Sequence, residues 1–282
     1  MMLKYIGCRL IQWLSTQASD ESVFRMVERL GDWQCRSAPS LRRNVTHNLS
    51  LILGQTLPER SVLVGEVFQN FTRYLAEFFS IHQRTDLKVH AEGEHYLRQA
   101  QHQGRGAIIL TAHLGNWEAG AVAIRRMGFP LAVVALAHPD RRLDALFNSQ
   151  RQRCGLAVIP LGPDAGRESL RQLRNGRFLG MLGDWVFSGP GVSESFCGVE
   201  HLFPLGPVLL SLRANVPVVP AFLIREGLWT FRLCIDPPIW PQIKSSRQTA
   251  IRQMMQGYVK SFERHLKQVP TQWLMFQRFH CP

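Results

Sequence analysis

The stretch Gly104-Arg105-Gly106-Ala107-Ile108-Ile109-Leu110-Thr111-Ala112-His113-Leu114-Gly115-Asn116-Trp117-Glu118 decides the fold. A glycine turn introduces an apolar run, 107–111, that reads as a strand. A helix begins soon after His113 and carries through Met127 to a stop at Gly128 and Pro130. Working outward, the same alternation repeats. Strands are expected at 131–136, 156–160 and 178–182, the last ending at Gly183-Asp184, with helices at about 141–153 and 166–175 between them. A glycine-rich loop, 188–198, separates these from a short helix at 206–215. A strand at 218–224 and another at 229–235 then form a hairpin across Arg225-Glu226-Gly227, and an amphipathic helix follows at about 247–268. Repeated strand-helix-strand units imply an α/β fold whose mostly parallel central sheet is flanked by helices. Such sheets place ligands outside the carboxyl ends of their strands, so the residues just after each strand are the ones to examine.

Upstream the pattern differs. Residues 1–85 read as a helical segment preceding an α/β domain at 86–282. Leu41, Val45, Leu49 and Ile52 share one stripe, while Val64, Val67, Phe68, Phe71, Leu75, Phe78 and Phe79 make a second, more aromatic one. That second stripe either packs its helix on the body or lines a channel for a greasy ligand, with Phe71, Phe78, Phe79 and Trp117 as candidates for the channel floor. Residues 1–15 form an amphipathic helix with Leu3, Ile6, Leu10, Trp13 and Leu14 at helical spacing. Lys4 and Arg9 are available to a phosphate-rich surface, and both membrane attachment and packing on the body fit this pattern.

Composition narrows the function. The 282 residues carry 33 Lys and Arg against 21 Asp and Glu, a formal charge of +12, and arginine dominates the cations. An arginine excess favours forked recognition of phosphate or carboxylate. Helix-turn-helix, RNP and zinc-finger patterns are missing, which argues against nucleic acid as the partner. Cys8, Cys35, Cys154, Cys197, Cys234 and Cys281 form no C-x-x-C pair, against zinc ribbons, iron–sulfur centres and a disulfide framework, and a reducing, cytosol-facing location is expected. His95, His102, His113, His138 and His201 are dispersed and H-E-x-x-H is absent, so no metal is expected. No apolar run reaches the ~20 residues that span a bilayer.

Chemistry concentrates at His113. On one continuous helix His113 and Glu118 would lie about 140° apart. If His113 instead ends a strand and Glu118 opens the helix, a bend at Gly115 can bring them together. A carboxylate bound to one ring nitrogen fixes the tautomer and frees the other nitrogen as a general base. G-x-S-x-G does not occur, which disfavours an acyl-enzyme; the base would act directly on a substrate hydroxyl.

The block Ala112-His113-Leu114-Gly115-Asn116-Trp117-Glu118 resembles the H-x4-D/E block of the bacterial lipid A late acyltransferases and the related mannoside acyltransferases. Arg43-x-Val45-x-x-Asn48-Leu49 resembles that family's early helical motif, and Gly183-Asp184 its strand-end aspartate. Phe196-Cys197-Gly198 through Phe203-Pro204-x-Gly206 resembles its F-x-G and P-x-G loop, Val218-Val219-Pro220 its buried strand, and Gln272-Trp273 its closing motif. The chain departs from the lipid A enzymes at Trp185, where they usually carry a polar residue.

The resemblance implies a glycerolipid-acyltransferase-like fold. It also implies acyl transfer from an acyl-carrier-protein or CoA thioester, a donor substrate rather than a cofactor, to a hydroxyl of an anionic membrane glycolipid of lipid A type. The expected location is the cytoplasmic face of the inner membrane, peripheral or monotopic. A mannolipid, lysophospholipid or secondary-metabolite lipid as acceptor, or a non-catalytic lipid carrier, is the alternative. His113 would be the base, with Glu118 orienting and charge-balancing it. Arg153, with Arg151 as competitor, and backbone amides near Asn116 are the candidates for stabilising negative charge on the thioester oxygen. Asp184 either orders that arginine or caps its turn. Asn116, Trp117, Arg151, Phe196, Gly198 and Gly206 are the expected substrate contacts. A basic stripe of Arg167, Arg171 and Arg174 could meet anionic headgroups or an acidic carrier protein.

Overall fold

The computed structural model describes residues 2–17, 19–187, 189–242 and 246–279, except for the side chains at 2–4 and 15–17. The Leu3 and Lys4 side chains, Ser188 and Cys281 therefore lie outside the described residues. Four helices come first: α1 (Met2–Gln17), α2 (Asp20–Ser37), α3 (Pro39–Leu53) and α4 (Val62–Ser80). The alternating part runs β1 (Lys88–Glu92), α5 (Glu94–His102), β2 (Ile108–Thr111), α6 (Trp117–Arg126), β3 (Leu131–Ala135), α7 (Arg141–Arg153), β4 (Ala157–Pro160), α8 (Ala165–Arg174) and β5 (Phe178–Leu182). It closes with β6 (Gly191–Phe196), β7 (Val199–Pro204), α9 (Gly206–Ala214), β8 (Val218–Gly227), β9 (Thr230–Ile235) and α10 (Arg247–Gln268).

The seven-stranded sheet has the order β1-β9-β8-β2-β5-β3-β4, and all its neighbours pair in parallel except the β8–β9 hairpin. Alternation along the central strands sorts side chains onto two faces. Ile108, Leu110, Val218 and Phe222 pack with α8, α9 and α10, whereas Ile109, Val219, Ala221 and Leu223 pack with α5 and α6. The N-terminal helices build a third apolar cluster that also takes in Phe147 of α7 and Leu274. Val64, Val67, Phe68, Phe78 and Phe79, most of the aromatic stripe of α4, are sealed inside it. Helix packing, not channel lining, is what that stripe does.

The segment expected as a glycine-rich loop instead holds strand β6 and the turn of a two-stranded antiparallel hairpin, whose second strand, β7, follows it directly. Its turn is Cys197-Gly198, both residues having positive φ (50° and 81°), the geometry of the tight turn that suits strand twist. Ser193, Glu194, Ser195 and Glu200 weaken the β signal of these strands, and the glycines around them read as loop.

Helix α1 turns Cys8 and Ile11 inward and leaves Ile6, Leu10 and Trp13 exposed; α2 repeats the spacing with exposed Met26, Leu30 and Trp33. Among the described residues no helix is long and apolar enough to cross a membrane.

Candidate active site

Strands β2 and β5 are neighbours in register, with Thr111 opposite Leu182. Two residues beyond that pair on each strand stand His113 and Asp184, and the sheet itself brings them together. The Asp184 carboxylate is fully buried. It accepts from His113 Nδ1 at 2.9 Å, from the His113 backbone N–H at 2.9 Å and from Trp273 Nε1 at 2.9 Å. Burial alone would push this carboxyl up. The adjacent imidazole and the three N–H donors outweigh it and hold Asp184 below the ordinary carboxylate range. An ionised carboxylate has no proton to give, so Nδ1 carries the hydrogen and Nε2 is left as the basic nitrogen of the neutral ring. His113 is partly exposed and lines a cavity.

The turn carrying His113 is clamped from two sides. Gly115 N–H donates to the Gln272 carbonyl, Asn116 N–H to the Leu223 carbonyl and Leu274 N–H to the His113 carbonyl. Gly115 sits at φ 65°, and a Cβ there would lie 1.9 Å from the Leu223 carbonyl oxygen, so only glycine fits. The Gln272 side chain pairs with both backbone groups of Arg225, fixing the closing segment to β8.

The cavity, about 520 Å³, is largely apolar and of the size of small-molecule sites. From His113 it runs between α6 (Gly120, Ala121, Ile124) and the face of the sheet that shows Ile109, Val133 and Leu223. Its polar lining includes Tyr74, Glu118, His138 and Arg151. Arg151 Nε donates to both Glu118 carboxylate oxygens at 3.1 Å, its Nη2 adds a third bond, and its Nη1 donates to Asn148 at 3.0 Å. Burial and then Arg151 push the His138 imidazole below its ordinary value, which favours the neutral ring. Among the described residues lining the cavity there is no serine or cysteine. Burial lifts the Cys154 thiol to about 11 and the Cys197 thiol to about 12, far from a neutral-pH nucleophile.

The family model for bacterial lipid A biosynthesis acyltransferases matches residues 3–280. The chain belongs to that family. It is 25% identical over 244 residues to the phosphatidylinositol mannoside acyltransferase of Mycobacterium tuberculosis (strain CDC 1551 / Oshkosh), covering 82% of this chain and 74% of the relative. The protein of the same name from Mycolicibacterium smegmatis is 24% identical over 241 residues, 82% of this chain and 76% of the relative. The lipid A biosynthesis palmitoleoyltransferase of Escherichia coli (strain K12) is 24% identical over 286 residues, 95% and 88% of the two chains.

Within this acyltransferase several expected site residues stand elsewhere than the sequence implied. The acid on His113 is Asp184, not Glu118: the start of α6 turns Glu118 toward α7, where it pairs with Arg151. Asp184 accordingly orders the histidine and Trp273 rather than an arginine. Arg153 is exposed on the last turn of α7 and does not line the cavity, whereas Arg151 does. Asn116 is buried and serves as the N-cap of α6, accepting from Ala119 N–H and donating to Glu77, so it is closed to substrate. Phe196 is a core residue stacked on Phe262 at 5.0 Å, and Gly198 forms the β6–β7 turn; neither lines the cavity. Trp117 and Gly206 do, Trp117 edge-on to His113 at 4.9 Å. Of the four residues considered for the channel floor, only Trp117 lines the cavity.

Sequence reasoning missed Trp273 as a donor to Asp184, His138 in the cavity, and the buried Glu77–Arg225 pair that also holds Asn70 and Asn116. The Gln272-Trp273 motif was the available signal for the first. Nothing local signalled the others: the partners of Glu77 lie 39 or more positions away, and His138 reaches the cavity only through the packing of α7 on the sheet.

Proposed function

We propose that this acyltransferase moves a fatty acyl chain from an acyl-carrier-protein or CoA thioester to a hydroxyl of an anionic membrane glycolipid of lipid A type, in one step and without an acyl-enzyme. The observation that carries the reading is the buried Asp184 locked onto His113 Nδ1 at the mouth of an apolar cavity that no serine or cysteine among the described residues lines. His113 Nε2 removes the proton of the acceptor hydroxyl as its oxygen attacks the thioester carbonyl. Collapse of the tetrahedral oxyanion breaks the C–S bond, and the thiolate takes the proton back from the imidazolium. Asp184 holds the ring and balances its positive charge, the part assigned from the sequence to Glu118.

The first N–H groups of α6, on Trp117 and Glu118, have no helical acceptor and follow His113 by four and five positions across the Gly115 bend. They are the candidate donors to the oxyanion, favoured by the positive end of the helix dipole. The acyl chain lies along the apolar lining beneath α6. The exposed stripes of α1 and α2 seat in the interfacial layer of the inner membrane's cytoplasmic face, where tryptophans at the apolar boundary are favourable.

Purified protein, incubated with labelled acyl carrier protein or acyl-CoA and a lipid A-type glycolipid extract, should transfer label. His113→Ala should lower that turnover about 10²- to 10⁴-fold. Undiminished turnover in His113→Ala would remove the proposed base.

A further inference from the structure

On the sheet face opposite α5 and α6, helices α8 and α9 enclose a groove with arginines along its length. Arg167, Arg171 and Arg174 come from successive turns of α8 and Arg213 from the end of α9, with Pro163 and Gly166 at the other end. Arg167 pairs with Asp164 at 2.9 Å, and Arg171 makes two 2.8 Å bonds to Glu168. Arg174 and Arg213 are exposed, and no acidic partner is recorded for either among the described residues. Four guanidinium groups thus face two carboxylates, and two of the forks are open for bidentate bonds to acids brought from outside.

The groove adjoins the catalytic cavity. Gly206, Pro207 and Leu209 of α9 line the cavity while Arg213 of the same helix lines the groove, and helical rise puts Gly206 and Arg213 only about 10 Å apart. In the loop after β4, Leu161 lines the cavity and Pro163 the groove. A body seated on these arginines can therefore pass a flexible arm into the site without crossing the molecule. Among the described residues none of the large exposed apolar side chains, which would suit a bilayer, lines the groove; six of them stand on α1 and α2, while Leu136, Leu161 and Phe187 line the cavity.

We propose that this groove docks a small acidic carrier protein, whose carboxylates meet Arg174 and Arg213 while its thioester arm enters the cavity past the start of α9. The proposal rests on the acyl-transfer reading for the purpose of docking, but binding can be measured apart from turnover. Fluorescently labelled holo acyl carrier protein should bind the full chain, with affinity falling as salt rises. In Arg174→Glu/Arg213→Glu the dissociation constant should rise about tenfold or more, equivalent to roughly 1.4 kcal/mol. His113→Ala should bind as wild type does. With matched palmitoyl donors, the double variant should raise KM for the carrier-bound thioester and leave turnover of palmitoyl-CoA unchanged, which also reports a correctly folded site. The milder Arg174→Gln/Arg213→Gln should show the same trend at smaller amplitude.

A wild type that does not bind the carrier, or a charge-reversed variant that binds it equally, overturns the proposal. So does loss of binding to phosphatidylglycerol vesicles with carrier binding intact, which would make the groove a headgroup contact. Carrier binding that responds to charge reversal while no donor is turned over would leave the docking site standing and defeat the acyl-transfer reading.

Discussion

Two acid–base pairs face the same cavity and are built for opposite ends. Asp184 meets an imidazole, a partner that can gain and lose a proton near neutral pH, and is fixed by two further N–H donors that never titrate there. Glu118 meets a guanidinium, which stays charged, through three bonds on a side chain that is itself tied to Asn148. One pair moves a proton; the other holds its charge in place. A buried carboxylate beside a cavity is thus no guide to chemistry until its partner is known.

The comparison can be broken first at Asp184. Asp184→Asn keeps the shape but removes the charge that balances a protonated His113. Turnover should fall about 10²-fold or more, a loss of at least roughly 2.7 kcal/mol of barrier lowering. The sign with pH follows from a carboxyl held low in the folded state. Its contribution to stability is present above the ordinary carboxylate range and is lost as pH falls through its lowered folded value. Urea midpoints measured from about pH 6 to pH 2 should show wild type losing its margin over Asp184→Asn on acidification.

Arg151→Met strikes the other pair and should act chiefly on folding. Leaving Glu118 buried and unpaired should cost about 3–5 kcal/mol by denaturant unfolding, with the double variant Arg151→Met/Glu118→Met recovering part of it. A full loss of turnover in the stable double variant would mean that the pair has a part in the reaction itself. Trp273→Phe sharpens the contrast at smaller cost. It removes one neutral donor to the Asp184 carboxylate, about 1.5–3 kcal/mol, and should shift the acid limb of the stability profile to higher pH, whereas Glu118 has no such dependence on Trp273.

Much of the architecture was legible because its signals are local. Apolar runs bounded by glycine and proline mark β2, β3, β5 and β8, and Asn116 followed by Trp117-Glu118 marks the start of α6. The β6–β7 hairpin was not legible, since its turn depends on Cys197 taking positive φ, which a cysteine does not advertise. At the site, His113 could be picked out by its place after a strand. Its partner could not be chosen, because Glu118 is five positions away in sequence while Asp184 is next to it only through the β2–β5 pairing. Strand order is a non-local property, and the nearer acid in sequence is the farther in role.

The bonds from Leu274 to the His113 carbonyl and from Gly115 to the Gln272 carbonyl tie the catalytic turn to a segment translated about 160 residues later. A growing chain can assemble β2 and β5, yet Asp184 still waits for its indole and the turn for its second wall. Ribosome-bound chains halted before Gln272 should accordingly be inactive even with the sheet in place, so that competence for transfer cannot precede synthesis of the segment that walls the turn.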